Sequence, residues 1–146
     1  TPRHRMHLIS SETTFAASPE VVFDHFADHQ KFAKIFGGTC TRVQEGQDEP
    51  NGLGSVRRIL PGPLAFEETI VAFERPHEID YAITKGGPLK NHLGQIRFAP
   101  VAGGTRVDYE IRFESKVPLL GYLVAAALKY GYAHGIKKVQ AELAGR

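Results

Sequence analysis

The stretch from Thr105 to Glu114 constrains the fold more than any other, because Val107, Tyr109, Ile111 and Phe113 alternate there with Arg106, Asp108, Glu110, Arg112 and Glu114. Strand side chains point to opposite faces with a period of two, so this segment is a strand with one apolar and one charged face. A sheet built this way needs cover on one side only. The cover follows directly in the chain. Pro118 to about Leu143 reads as one long helix, on which Leu120, Val124, Leu128, Tyr132, Ile136, Val139 and Leu143 form a broad stripe, with Lys129, His134 and Lys137 away from its centre. Gly131 and Gly135 lie within that stripe and Gly121 near its edge. A glycine inside a helix costs roughly 1 kcal/mol relative to Ala. Either these glycines let helix and sheet approach closely, or they leave space beneath the helix for a guest molecule.

Upstream, Leu8 to Ala16 is compatible with a first strand. Ser18-Pro19-Glu20 then supplies a capping hydroxyl, a proline at the first helical position and an acid in the first turn. Val22, Phe23 and Phe26 give the helix that follows its apolar side; Phe32, Ile35 and Phe36 repeat the spacing in a second short helix ended by Gly37-Gly38. Further strands are expected near Thr39–Glu45, Gly54–Leu60, Ala65–Glu74, Glu78–Thr84 and His92–Ala99. They are separated by turn chemistry at Pro50-Asn51-Gly52, Pro61-Gly62-Pro63, Arg75-Pro76, Gly86-Gly87-Pro88 and Ala102-Gly103-Gly104. Short turns between consecutive strands imply an antiparallel meander.

The 146 residues fit one domain. A hydrophobic fraction of 42% with 23% charged residues excludes a disordered or fibrous chain. Eighteen Lys and Arg against sixteen Asp and Glu are scattered along the chain, without the concentrated basic face of a nucleic-acid binder. The single Cys40 makes no internal disulfide, which suits a reducing compartment, and a cytoplasmic location is expected. The longest apolar run, Val117 to Leu128, falls short of the ~20 residues that span a bilayer. Thr1 to Met6 carries Arg3, His4 and Arg5 with no apolar segment after it, so it does not read as a signal peptide. Residues 1–7 are expected to be a disordered end or an expression remnant, and residues 8–146 a single domain.

The order of strand, two short helices, six strands and long C-terminal helix is that of the α+β helix-grip fold, a curved antiparallel sheet of about seven strands wrapped around its last helix. Ala17-Ser18-Pro19-Glu20-Val21-Val22-Phe23, Asp28 with Phe32 and Phe36, Gly52-Leu53-Gly54, Glu68-Thr69, Pro76, His92-Leu93-Gly94 and Gly103-Gly104-Thr105-Arg106-Val107 are further landmarks. Together they resemble the SRPBCC (START-like) superfamily, in its polyketide cyclase/dehydrase and lipid-transport branch, over about Ile9 to Leu143. The chain departs from that pattern in having no Trp where Phe32 or Phe36 stands. The resemblance implies a cavity that binds a hydrophobic or aromatic, lipid- or polyketide-like small molecule for transport or sequestration. Relatives include carriers and cyclases alike, so a cyclase, dehydratase or aromatase acting on a ketide-like substrate is the alternative, and a protein-interaction module using the outer sheet face a second one.

Strand parity selects the polar groups that would enter such a cavity. His92 shares a face with Ile96 and Phe98, Tyr81 with Ile79 and Ile83, and Tyr109 with Ile111, placing an imidazole and two phenols among apolar walls. The tyrosines would alternatively just span the core. Of the adjacent Arg57 and Arg58, one must face inward; Arg58 is favoured, on the parity of Val56 and Leu60, with Glu68 as its partner. Leu120, Val124, Leu128 and Gly131 would supply the helix side. For the cyclase alternative, His92, Tyr109 and Arg58 are the catalytic candidates. His25 and His29 are spaced for one helical face, but Phe26 stands where a metalloprotease glutamate would, and a solvated helix end is the expectation, with no metal. Gly52-Leu53-Gly54 and Gly86-Gly87 lack the context of phosphate loops, so no cofactor is expected. Cys40 reads as a small apolar filler.

Overall fold

The computed structural model describes residues 6–59 and 65–146. Its elements are β1 (His7–Phe15), α1 (Pro19–Ala27), α2 (His29–Ile35), β2 (Cys40–Gln44), β3 (Val56–Ile59), β4 (Phe66–Glu74), β5 (Glu78–Gly86), β6 (Leu89–Val101), β7 (Gly104–Ser115) and α3 (Leu120–Leu143). Seven antiparallel strands form one sheet in the order β1-β7-β6-β5-β4-β3-β2. The meander accounts for β2 to β7, and β1 closes on β7 along its whole length, from His7 opposite Phe113 to Phe15 opposite Thr105. Long helix α3 packs on β1 and β7, α1 packs on β6 and β7, and α2 lies between α3 and β2. This is the helix-grip arrangement. Leu60 and the Pro61-Gly62-Pro63 turn lie outside the described residues, as do residues 1–5; His7 already belongs to β1.

Local chemistry explains the boundaries. The Ser18 hydroxyl accepts from the Val21 amide and Pro19 opens α1. Asp28 ends α1 and starts α2, its carboxylate accepting from the Gln30 and Lys31 amides at 3.0 Å. At the other end the expected start of the long helix at Pro118 is corrected to Leu120. Ser115 Oγ accepts from the Val117 amide and donates to the Val117 carbonyl, and Leu119 takes a left-handed backbone with φ 70°, so the chain is still turning at Pro118.

The core runs under α1 and the sheet: Phe15, Phe23, Phe26, Phe113, Ile79, Ile96, Val22 and Val107 are fully buried. Packing favours close approach as the reason for the helix glycines. A Cβ on Gly135 would sit 1.8 Å from the Ile35 carbonyl oxygen, so only glycine lets α3 press against the end of α2. The outer face of the sheet carries ion pairs, Arg97 with Glu78 and Asp80, and Arg106 with Asp108. No helix among the described residues is long and apolar enough to cross a membrane.

Candidate functional site

Two features meet on the concave side of the sheet, a buried polar cluster and a pocket beside it. The cluster spans five neighbouring strands, β3 to β7. Arg57 on β3 faces Glu68 on β4 directly across the ladder, Tyr81 comes from β5, and Tyr109 comes from β7. Strand β6 lies between the two tyrosines, and it contributes Gly94 opposite Tyr81. A Cβ on Gly94 would lie 2.2 Å from the Tyr81 ring, so the missing side chain lets that ring cross β6 and its hydroxyl reach the hydroxyl of Tyr109. Both phenols are 3% exposed, and desolvation holds both above the ordinary tyrosine range. They are neutral at physiological pH. Phe32 and Phe36 from the α2 end and Tyr132 from α3 pack around Tyr109, tilted or edge to face, with ring centres 5.4–6.2 Å apart. Aromatic rings thus occupy the middle of the grip.

The inward arginine is Arg57, a correction to Arg58. Arg57 is 3% exposed, whereas the Arg58 side chain is 53% exposed and bonds Glu67 at 3.0 Å. Ser55, just before β3, and Arg57 within it are both buried, so apolar Val56 was a misleading guide to parity. The Arg57 guanidinium lies over the Phe32 ring at 5.2 Å and the Tyr81 ring at 5.6 Å. Its Nε stands 3.5 Å from Glu68 Oε1, an ion pair in which neither atom makes a hydrogen bond.

Two groups near this cluster titrate abnormally, in opposite senses. Burial pushes the Glu68 carboxyl up from 4.5 to about 7, although Arg57 pulls it down. Burial pushes the His92 imidazole down from 6.5 to about 4, and its Nδ1 accepts the Ile83 amide at 3.0 Å. As pH rises from 4.5 to 7 the unfolded chain releases the Glu68 proton while the folded chain keeps it, so Glu68 lowers stability by up to about 3 kcal/mol. As pH falls from 6.5 toward 4 the unfolded chain protonates His92 while the folded chain does not, so His92 lowers stability in the other direction by a similar order. The two slopes oppose each other between pH 4.5 and 6.5. Glu68→Gln is therefore expected to melt at temperatures that climb with pH across this window more steeply than wild type, and His92→Asn at temperatures that climb less or fall. Parallel melting profiles for all three proteins would contradict this assignment.

Beside the cluster, a pocket of about 450 Å³ opens between β1 and α3. Ile9, Ile111, Leu128 and Ile136 give it apolar walls; Tyr109 and Tyr132 line it too, and Ser11 and Thr13 add hydroxyls. Two contacts join β1 to α3 along it, Gln140 Nε2 donating to the Thr14 carbonyl at 2.9 Å and Thr13 Oγ1 meeting the Tyr132 hydroxyl at 3.4 Å.

Of the residues singled out from sequence, Tyr109, Ile111 and Leu128 line this pocket. Tyr81, Glu68 and His92 belong to the polar cluster behind it, with His92 and Tyr81 ring centres 5.4 Å apart. Ile96 and Phe98 are core residues, and Phe98 packs on Phe23 and Phe26 under α1. Leu120 and Val124 are half-buried, and Gly131 faces the Phe36 backbone. The candidate catalytic set does not converge, since Arg58 is outside and His92 Nδ1 is engaged. The sequence reading missed Arg57 and Gly94 as site residues. His25 is a further correction: it is buried in α1, not solvated, and burial lowers its pKa, whereas His29 sits on α2 with Nδ1 3.2 Å from Asn51 Oδ1. Among the described residues no group of His, Cys, Asp or Glu is placed to hold a metal ion. The Cys40 thiol donates to the His29 carbonyl, and burial pushes its pKa up.

Comparisons with known proteins agree with this architecture. A START superfamily protein from Mycobacterium smegmatis superposes with a TM-score of 0.74 at 16% identity, covering 94% of this chain and 97% of that one. Norcoclaurine synthase from Thalictrum flavum, in complex with dopamine and hydroxybenzaldehyde, gives 0.68 at 15% identity over 95% and 88%. Protein Ms6760 from Mycobacterium smegmatis gives 0.65 at 21% identity over 93% and 90%. At these identities the likeness is one of fold. No protein with a curated description matches the sequence. Residues 6–144 match the family described as polyketide cyclase / dehydrase and lipid transport, so the match spans every element from β1 to α3, and the chain belongs to that SRPBCC-type family.

Proposed function

We propose that this protein binds a hydrophobic or aromatic small molecule, lipid- or polyketide-like, without covalent chemistry, and carries or sequesters it. The observation that supports this is the pocket between β1 and α3, apolar on its walls and edged by hydroxyls that can orient a guest. Burying ~300 Å² of apolar ligand surface there contributes about 7 kcal/mol before the costs of association, enough for useful affinity in a preformed site. Binding is favoured over cyclisation because Arg58 lies outside the sheet's inner face and the His92 Nδ1 is taken by the Ile83 amide. It is favoured over a docking module on the outer sheet because that face is built of ion pairs.

The test is titration with the neutral dye N-phenyl-1-naphthylamine, whose fluorescence rises in apolar surroundings. Saturable binding is expected. Ala133 lines the pocket with its side chain exposed, so Ala133→Leu should intrude on the guest and leave the fold intact. Affinity should drop about tenfold or more, equivalent to 1.4 kcal/mol or above, at an unchanged melting temperature. Binding that ignores Ala133→Leu would sink the proposed pocket.

A further inference from the structure

The mouth of this pocket carries charge that its walls do not explain. Lys129, Ala133 and Lys137 follow one another at four-residue intervals on α3, and all three line the opening. Residues at that spacing share one face of a helix. Both lysines are exposed, and among the described residues neither takes part in an ion pair. Glu12 is the one acid among the lining residues, and it stands 3.9 Å from Arg106 on the neighbouring strand. Within α3 no Asp or Glu precedes Glu142. Two uncompensated ammonium groups therefore border a cavity whose inner wall is Ile9, Ile111, Leu128 and Ile136.

Building on the proposed pocket, we infer that its ligand is an anionic amphiphile, with an apolar or aromatic body against those four side chains and an acid group over Ala133 between Lys129 and Lys137. The two lysines are about 12 Å apart along the helix axis, so a group midway lies within reach of both flexible side chains. Ala133 leaves the room for it; a longer side chain there would fill the space between the ammonium groups. The polar end of the ligand stays at the water boundary, where a carboxylate or sulfonate keeps most of its hydration, and the apolar end supplies the burial.

A pair of dyes tests the inference, because 1-anilinonaphthalene-8-sulfonate and N-phenyl-1-naphthylamine share one ring system and differ by the sulfonate. Wild type should bind the sulfonate about five- to tenfold more tightly, the effect of two solvent-screened charge contacts. The double variant Lys129→Gln/Lys137→Gln should erase that difference, and so should about 0.5 M salt in wild type. Equal affinities in wild type, or an advantage that survives the double variant, overturn the anionic ligand and leave the pocket standing. If Ala133→Leu weakens neither dye, the pocket itself is wrong and the inference falls with it.

Discussion

Arg57→Ala is expected to cost about 3–5 kcal/mol of stability at pH 8, in part from losing the cation beside buried Glu68, which forces that carboxyl to take up a proton, and in part from losing the guanidinium packed over Phe32 and Tyr81. For a chain of this size that corresponds to a melting temperature lower by roughly 10–15 °C. The cost should shrink toward pH 5. Without Arg57 the Glu68 carboxyl loses the charge that pulls its pKa down, so in the folded variant it holds its proton more tightly still. The unfolded chain ionises this group above about pH 4.5, and every further unit of pH then penalises the folded state. Arg58→Ala is the internal control, because Arg58 itself is exposed to water and such pairs contribute about 0–1 kcal/mol. Replacing both members, as Arg57→Leu/Glu68→Leu, should recover the loss or exceed wild type, since the pair itself is poorly hydrogen-bonded. Thermal and urea melts of the four proteins at pH 5 and 8 decide the matter. A loss for Arg57→Ala that equals that of Arg58→Ala, or that is the same at both pH values, would show that Glu68 is not the group left stranded.

The contrast between these two arginines shows where local pattern stops being informative. Strand β7 was fully legible because its alternation is long and its two faces differ in chemistry at every step. The start of α1 was legible because Ser18, Pro19 and Glu20 each answer a requirement of a helix N-terminus. In β3 the same logic had four residues to work on, with polar groups on the buried side, and the information that places Arg57 inward is its register opposite Glu68, a contact made by another strand. Glu68 itself was assigned to the correct face, so half of the pair was visible. Gly94 stood out in the sequence as part of His92-Leu93-Gly94, but its use, letting Tyr81 reach Tyr109 across β6, depends on a neighbour 13 residues away in the chain. The helix stripe held for Tyr132, Ile136, Val139 and Leu143, whereas Leu120 and Val124 are only half-buried. Periodicity says which side of a helix turns inward and nothing about how far that side stands from the sheet. The pocket is a matter of that distance, which is why its residues were only partly anticipated.

The same distance makes Gly135→Ala the sharpest test of how α3 is seated. Helix propensity alone predicts a gain of about 1 kcal/mol, because Ala is the better helix former. In the fold a Cβ at this position would lie 1.8 Å from the Ile35 carbonyl oxygen and 2.7 Å from its carbon, and backbone at the end of α2 cannot rotate aside as a side chain can. The helix must lift, so we expect a net loss of about 2–4 kcal/mol in urea unfolding. Gly131→Ala meets the Phe36 carbonyl at 3.2 Å and should be close to neutral, the small clash offsetting the propensity gain. Gly121→Ala meets the His7 ring, which can swing away, and should fall between the two. A Gly135→Ala protein as stable as wild type would mean that α3 does not press on α2. If the loss is seen, dye binding should change as well. Ile136 and Tyr132 flank Gly135 and line the pocket, so lifting the helix at Gly135 moves one wall of the cavity away from β1. Gly135 would then be the contact that holds the guest's wall in place.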